Sequence, residues 1–228
     1  MSEARLTHWQ ESDLHIAAYD GNFKKLRRVF AEEGYEDYNI KDQGGITPLI
    51  LAAQRGHVDI CKEILLVTKD ASPRWQQTGA TPLHMAAQNG HKEVCQLLLE
   101  KVEDVNERNQ DGYTPLHMAV LRGHEEICHM IIAKADDVNT KTEDGQTALH
   151  MATEKGLDTV CSAILDKTED KNPKDNFNNT PLHIAAKAGN MVLIKQILMK
   201  SGESSNSVHI RSVAYSMVSI KSTEHLAC

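Results

Sequence analysis

The chain has 228 residues, of which 25% are charged and 40% hydrophobic, and its formal net charge is −7. This acidic balance disfavours nonspecific binding to nucleic acid or to anionic lipid, because both need a basic face. No apolar run approaches the ~20 residues of a membrane-spanning helix, and residues 1–10 do not resemble a signal peptide. We therefore expect a protein of the cytoplasm, with the nucleus as an alternative compartment, and no direct membrane insertion.

One tetrapeptide recurs along the chain at nearly constant spacing. The first copy is the degenerate Ser12-Asp13-Leu14-His15. Later copies begin at Thr47, Thr81, Thr114, Thr147 and Thr180. The first step is 35 residues, the second is 34, and the remaining three are 33. Such a period predicts six copies of one supersecondary unit that stack to bury a continuous core.

Each unit has the same internal plan. A Thr-Pro start favours a helix, because Thr can cap the free amides and Pro suits the first helical position. Nine residues later comes a glycine, which suits the left-handed end of a short helix: Gly21, Gly56, Gly90, Gly123, Gly156 and Gly189. An apolar stripe at helical spacing follows, and a glycine or Asn178 two residues before the Thr marks a tight turn. One unit is thus predicted to be a turn, a short helix and a longer helix.

These residues closely resemble the ankyrin repeat, as in Thr81-Pro82-Leu83-His84-Met85-Ala86-Ala87 followed by Gly90-His91. The connecting segments Asp104-Val105-Asn106 and Asp137-Val138-Asn139 also match, and the resemblance covers roughly residues 5–200. It implies an all-α solenoid of stacked helix-turn-helix units, with β-hairpin fingers and a concave groove. We place an ankyrin domain at 1–200 and a tail or degenerate cap at 201–228. The repeats lie near 10–42, 43–76, 77–109, 110–142, 143–175 and 176–200.

The chain departs from the repeat pattern at three joints or ends. Unit one lacks Thr-Pro, which suits a capping repeat. The joint before unit three contains Pro73 and Trp75, and the joint before unit six contains Asn172-Pro173, so these fingers are expected to be reshaped. The tail is rich in serine but too apolar for a plain disordered segment. It either folds over the last unit or is the stub of a longer array.

The cysteines and histidines look like chemistry but follow the repeat. Four cysteines recur at steps of 34, 33 and 33 residues and are predicted to be small, buried, apolar side chains: Cys61, Cys95, Cys128 and Cys161. Histidines also recur with the repeat. A zinc site needs four ligands that converge on one point, whereas a linear stack spreads equivalent residues along a line. We expect them to hydrogen-bond between loops. Since nucleotide-binding and hydrolase motifs are also missing from the sequence, we expect no metal, no cofactor and no enzymatic activity.

The resemblance implies that the chain binds another protein through its finger tips and the exposed surface of each short helix. Carried onto this sequence, the contact residues are Trp75, Gln77, Gln88, Asn89, Gln110, Asp111, Tyr113, Leu121, Arg122, Glu143, Asp144, Gln146 and Phe177. Trp, Tyr and Arg are enriched in binding hot spots, and we expect the centre of the binding groove to be formed by Trp75, Tyr113, Leu121 and Arg122. Alternatively, Trp75 and Phe177 simply pack into the two irregular joints.

Two functional hypotheses follow. In the first, the chain is a monomeric adaptor, scaffold or inhibitor that covers a partner's surface. In the second, it is the N-terminal ankyrin segment of a larger membrane channel or signalling protein. The resemblance identifies neither the partner nor the pathway.

Overall fold

A computed structural model describes residues 12–33 and 38–201 of the chain. This part holds twelve α-helices and no β-strand. The helices are α1 (Asp13–Asp20), α2 (Phe23–Glu33), α3 (Pro48–Arg55), α4 (Val58–Val67), α5 (Pro82–Asn89), α6 (Lys92–Leu99), α7 (Pro115–Arg122), α8 (Glu125–Lys134), α9 (Ala148–Lys155), α10 (Asp158–Lys167), α11 (Pro181–Lys187) and α12 (Met191–Ser201). Residues 202–228 of the expected tail lie outside the described residues.

The helices form six pairs, which we number as units one to six. Within each unit the first helix packs against the second, which is the longer of the two except in unit three, where both have 8 residues. Between units, first helices pack on first helices and second helices on second helices, so contacts run mainly between neighbours. The predicted all-α solenoid is therefore confirmed. No helix of the described part has the length and apolarity that crossing a membrane would require.

The first helix of each later unit begins at a capping threonine. In unit three the amide of Thr81 donates to Nδ1 of His84 at 3.2 Å, and the same bond recurs at Thr114, Thr147 and Thr180. Because Nδ1 accepts, the imidazole proton lies on Nε2. Nε2 of His84 then donates to the carbonyl oxygen of Tyr113 in the next unit, at 2.9 Å. The histidine therefore caps its own helix and ties it to the next finger.

The segment before each first helix forms the finger. In unit four the amide of Asn109 donates to Tyr113 O at 2.9 Å, and Asn109 Oδ1 accepts from the amides of Asp111 and Tyr113. Asp42, Thr142 and Asp175 close the corresponding turns. In the fingers of units two to six, one backbone hydrogen bond joins the two arms and another closes the turn at the tip, as from the amide of Gly112 to Asn109 O at 3.1 Å. For that reason the fingers are tight turns, and they lack the paired strands of the expected β-hairpins.

The finger of unit three differs because it contains one additional residue. Its closing hydrogen bond runs from the amide of Trp75 to Ala80 O at 2.9 Å and encloses six residues, counting both ends. The corresponding bond in unit four encloses five residues. This insertion accounts for the 34-residue step between Thr47 and Thr81. Trp75 occupies the position of the turn-closing Asn or Asp, and Thr78 Oγ1 accepts from the amide of Ala80 in its place. This joint is reshaped as expected. The finger of unit six, by contrast, closes from the amide of Asp175 to Asn179 O at 2.9 Å over five positions, as in unit four, so the expectation that it is reshaped is wrong.

The core between the helix layers is aliphatic and continuous along the stack. The cysteines predicted to be buried are buried and free, which confirms that prediction. Burial raises the pKa of the thiols of Cys61, Cys95, Cys128 and Cys161 to about 12. These thiols stay protonated at neutral pH, and a protonated thiol is a poor nucleophile and metal ligand.

Candidate functional site

Backbone hydrogen bonds join the finger tips of units three to six into one ribbon, which we call the finger ribbon (residues 76–79, 109–112, 142–145 and 175–178). The amide of Gln110 donates to Thr78 O at 2.9 Å, and that of Asn176 donates to Asp144 O at 3.1 Å. Between units four and five the amide of Glu143 donates to Asp111 O at 3.3 Å. Neighbouring tips are therefore held side by side, and their side chains are presented on a preorganised backbone.

Most of the predicted finger-tip residues are exposed. Gln77, Asp111, Glu143 and Asp144 face solvent, and none of them belongs to an ion pair within the part of the chain that the structure describes. Gln110 is also exposed, but its side-chain amide donates to Gln76 O at 3.1 Å and so bridges two fingers. The free side chains available for a partner are thus chiefly carboxylates, concentrated in units four and five.

Phe177 and Gln146 lie near the same ribbon in different surroundings. Phe177 is 74% exposed at the tip of finger six, so its ring does not pack into the irregular joint there. Gln146, at the base of finger five, is partly buried. An aromatic ring that remains exposed after folding is available for contact with another molecule.

The exposed ends of the first helices form the second part of the predicted surface. In unit four Arg122 is exposed and Leu121 is partly buried against the main core. In unit three Gln88 is partly buried, and exposed Asn89 donates from its side-chain amide to Met85 O at 2.8 Å. Unit four therefore presents a basic and an apolar group where unit three presents amides.

The two aromatic residues proposed as anchors are both partly buried. The ring of Tyr113 packs against the main core, with an edge contact to His117 at 6.0 Å between ring centroids. The ring of Trp75 packs against a separate apolar cluster formed by Ile46, Ile50, Leu51, Ala80 and Met85. The alternative interpretation, in which Trp75 packs at its joint, is thus supported by this contact. Its part in binding stays a prediction.

The sequence interpretation overlooked one residue of this surface, Met118. It lies on the same helical face as Leu121 and Arg122, at spacings of three and four residues, and it is partly exposed. Corresponding positions carry Leu51, Met85, Met151 and Ile184, so a column of apolar residues four positions after each Thr could have revealed it.

Histidines at the start of the second helices link neighbouring units. Nε2 of His57 donates to Tyr19 O at 2.9 Å, and Nε2 of His91 donates to Gln54 O at 3.0 Å. These histidines thus hydrogen-bond between neighbouring units, but their acceptors lie in the last turns of α1 and α3 and not in loops as expected. Within residues 12–33 and 38–201, no three His, Cys, Asp or Glu side chains come together so that they could hold a metal ion.

The ring of His91 also explains why Gly56 is a glycine. Gly56 has φ of 77°, a left-handed conformation that favours glycine, and a Cβ there would lie 2.5 Å from His91 Nδ1. Gly156, at the same repeat position with φ of 69°, has no atom within 4 Å of such a Cβ. Leu157 and Asn190 replace the histidine in units five and six.

Comparison with protein families gives the same result over most of the chain. The family model described as ankyrin repeats (3 copies) matches residues 14–109, 64–142 and 102–175, and the model described as ankyrin repeat matches residues 177–212. A search of curated proteins finds no match. Ankyrin repeats generally serve as protein–protein interaction modules and are typically non-catalytic. The chain belongs to the ankyrin-repeat family.

Proposed function

We propose that the chain is a non-catalytic binding module, an adaptor, scaffold or inhibitor, that engages another protein through its finger ribbon and the exposed ends of its first helices. One observation supports this most directly. Side chains at repeated positions are used for caps, turns and core, whereas the tips of units four and five carry exposed carboxylates with no ion-pair partner among the described residues.

The backbone of this surface favours binding because it is already ordered. The finger tips of units three to six are connected by backbone hydrogen bonds, and the fingers of units two, four and six are tied to the preceding unit by Nε2 of His15, His84 and His150. A surface that is ordered before binding loses less conformational entropy when the partner docks. The exposed side chains can therefore vary in sequence while their positions stay fixed by the stack.

The experiment compares two charge-swapped variants of the whole chain. Asp111→Lys with Arg122→Glu alters the proposed surface, and Glu103→Lys with Lys101→Glu alters an exposed joint. Both double variants leave the net charge unchanged. Each immobilised protein is used to capture proteins from a cell extract, and quantitative mass spectrometry compares what is retained. Hits are then checked by direct binding of the purified partner.

We expect proteins that are captured by the wild-type chain and by the joint variant to be lost from the Asp111/Arg122 variant. All three proteins should melt at similar temperatures, because exposed substitutions away from the core usually change stability little. Equal capture by both variants would mean that partners bind elsewhere. The absence of any partner that binds the purified wild-type chain would also count against the proposal.

A further inference from the structure

The apolar column four residues after each Thr differs in exposure from unit to unit. In units two and three, Leu51 and Met85 are 8% and 7% exposed, and both belong to the cluster against which Trp75 packs. In unit five, Met151 is 3% exposed. In unit four Met118 remains partly exposed, as does Ile184 in unit six. The methionine of this column is therefore buried in units three and five and partly exposed in unit four.

Tyr113 and Leu121 extend this opening along the same unit. Both are partly buried against the main core, which holds the buried part of each side chain in place. Tyr113 directly precedes the capping residue of α7, and Met118 and Leu121 share one face of that helix. We call Tyr113, Met118 and Leu121 the unit-four strip. It is a short apolar path from the base of the finger to the end of the helix.

Charges of opposite sign lie at the two ends of the unit-four strip. At the finger end are the carboxylates of Asp111, Glu143 and Asp144, on two tips joined by a backbone hydrogen bond. The guanidinium of Arg108, which donates to Gly112 O, lies beside them, so three negative charges face one positive charge there. At the helix end are Arg122 and Lys155, both exposed and outside every ion pair of the described residues. Unit two carries Arg55 at the helix position but Gln43 and Gly44 at its finger tip, and unit three carries Gln77 and Asn89, so units four and five are distinguished by having both kinds of charge.

From this arrangement we propose that the unit-four strip receives an apolar side chain of a partner protein's segment whose neighbouring residues are basic, with the basic residues lying over the finger carboxylates. The inference rests on the proposed function and specifies the chemistry of the partner. An acidic segment would place like charges over Asp111, Glu143 and Asp144, and like charges brought together are unfavourable. Charge complementarity thus favours a basic, apolar segment as the occupant.

The test uses a random-peptide library displayed on phage, selected on the full chain. Selected peptides are synthesised with a fluorescent label, and their dissociation constants are measured by fluorescence anisotropy. Two triple variants with the same change in net charge are compared. The finger triple variant is Asp111→Lys, Glu143→Lys and Asp144→Lys.

The joint triple variant is Glu100→Lys, Glu103→Lys and Glu169→Lys, three exposed glutamates that lie off the finger ribbon. A further variant, Leu121→Ser, tests the apolar strip, and its melting temperature is measured alongside. The joint triple variant controls for the attraction of any basic peptide to an acidic protein. Measurements at about 50 and about 300 mM NaCl show how far the binding is electrostatic.

We expect the selected peptides to combine apolar with Lys or Arg residues. The finger triple variant should weaken their binding by about tenfold or more, and the joint triple variant by less than about twofold. Leu121→Ser should also weaken binding while the protein stays folded. Selection of acidic or uncharged peptides that still need Leu121 would overturn this inference and leave the proposed function standing. Equal weakening by both triple variants, or no selected peptide, would overturn it as well, whereas the proposed function is tested separately by partner capture.

Discussion

The buried capping histidines make the stability of the chain depend on pH in a predictable direction. His84 and His117 are 0% and 1% exposed, and burial lowers the pKa of each imidazole from 6.5 to about 4. A second proton would have to reside on Nδ1, which already accepts the amide hydrogen of the preceding threonine. Protonation in the folded state is therefore unfavourable for two reasons: it places a charge away from water, and it breaks the hydrogen bond that caps the helix.

The sign follows from comparing the two states. Because the folded pKa lies below the unfolded value, the stabilisation is complete above about pH 6.5 and is lost as the pH falls toward about 4. This difference in pKa between the unfolded and folded states corresponds to about 3 kcal/mol of unfolding free energy for each histidine. Near pH 5 the unfolded state holds almost two more protons than the folded state at these sites. The free energy of unfolding should then change by about 2.5 kcal/mol per pH unit.

Urea unfolding followed by far-UV circular dichroism between about pH 7 and about pH 4.5 measures this slope. His84→Gln removes one titrating group and should reduce the slope by about 1.2 kcal/mol per pH unit, which is less than half of the total because burial also lowers the pKa of His150; the substitution also lowers stability at neutral pH. His129→Gln, the same substitution at an exposed histidine, is made as the matched control. A stability that stays flat from pH 7 to 5, or a slope unaffected by His84→Gln, would refute the reasoning.

Two matched pairs of substitutions test the packing within and between units. Gly56→Ala and Gly156→Ala impose the same left-handed strain of about 1–2 kcal/mol, but only Gly56→Ala brings a Cβ against the ring of His91. Thermal melting should show the larger loss for Gly56→Ala, and equal losses would argue against the histidine contact. Leu98→Ala, at a fully buried position, should cost about 2–5 kcal/mol of unfolding free energy. Leu66→Ala, at a position 78% exposed, should cost far less, and a similar loss would contradict the assigned core.

The sequence was sufficient to predict the stack, because its determinants recur at fixed spacing. The capping residue Thr114, the left-handed Gly123 and the buried Cys128 each occupy a position that is repeated in other units. Agreement among several copies makes the local structure of any one of them predictable. The same repeat also indicated that the histidines bridge units and do not form a metal site, because equivalent residues in a linear array do not converge.

The character of the surface was harder to predict, because it depends on contacts between units. Met85 and Met118 occupy the same repeat position, yet only Met118 is left partly open. Trp75, in the finger with the inserted residue, packs against the cluster that contains Met85, and no such contact is seen at Met118 among the described residues. Tyr113 likewise proved partly buried, so its truncation would change both stability and binding. Exposed charges such as Asp111 therefore test function more cleanly.

The central claim is that each unit is stabilised mainly by its neighbours, and that unit four carries the binding surface. Deleting residues 110–142 removes one 33-residue period and joins two equivalent positions of the repeat. Circular dichroism of this variant should show the same helix content per residue and a cooperative melt at a lower temperature, with loss of the captured partners. Deleting residues 110–126, about half a period, should instead unfold the neighbouring units. Loss of helical structure in the full-period deletion, or its retention of partners, would contradict the account.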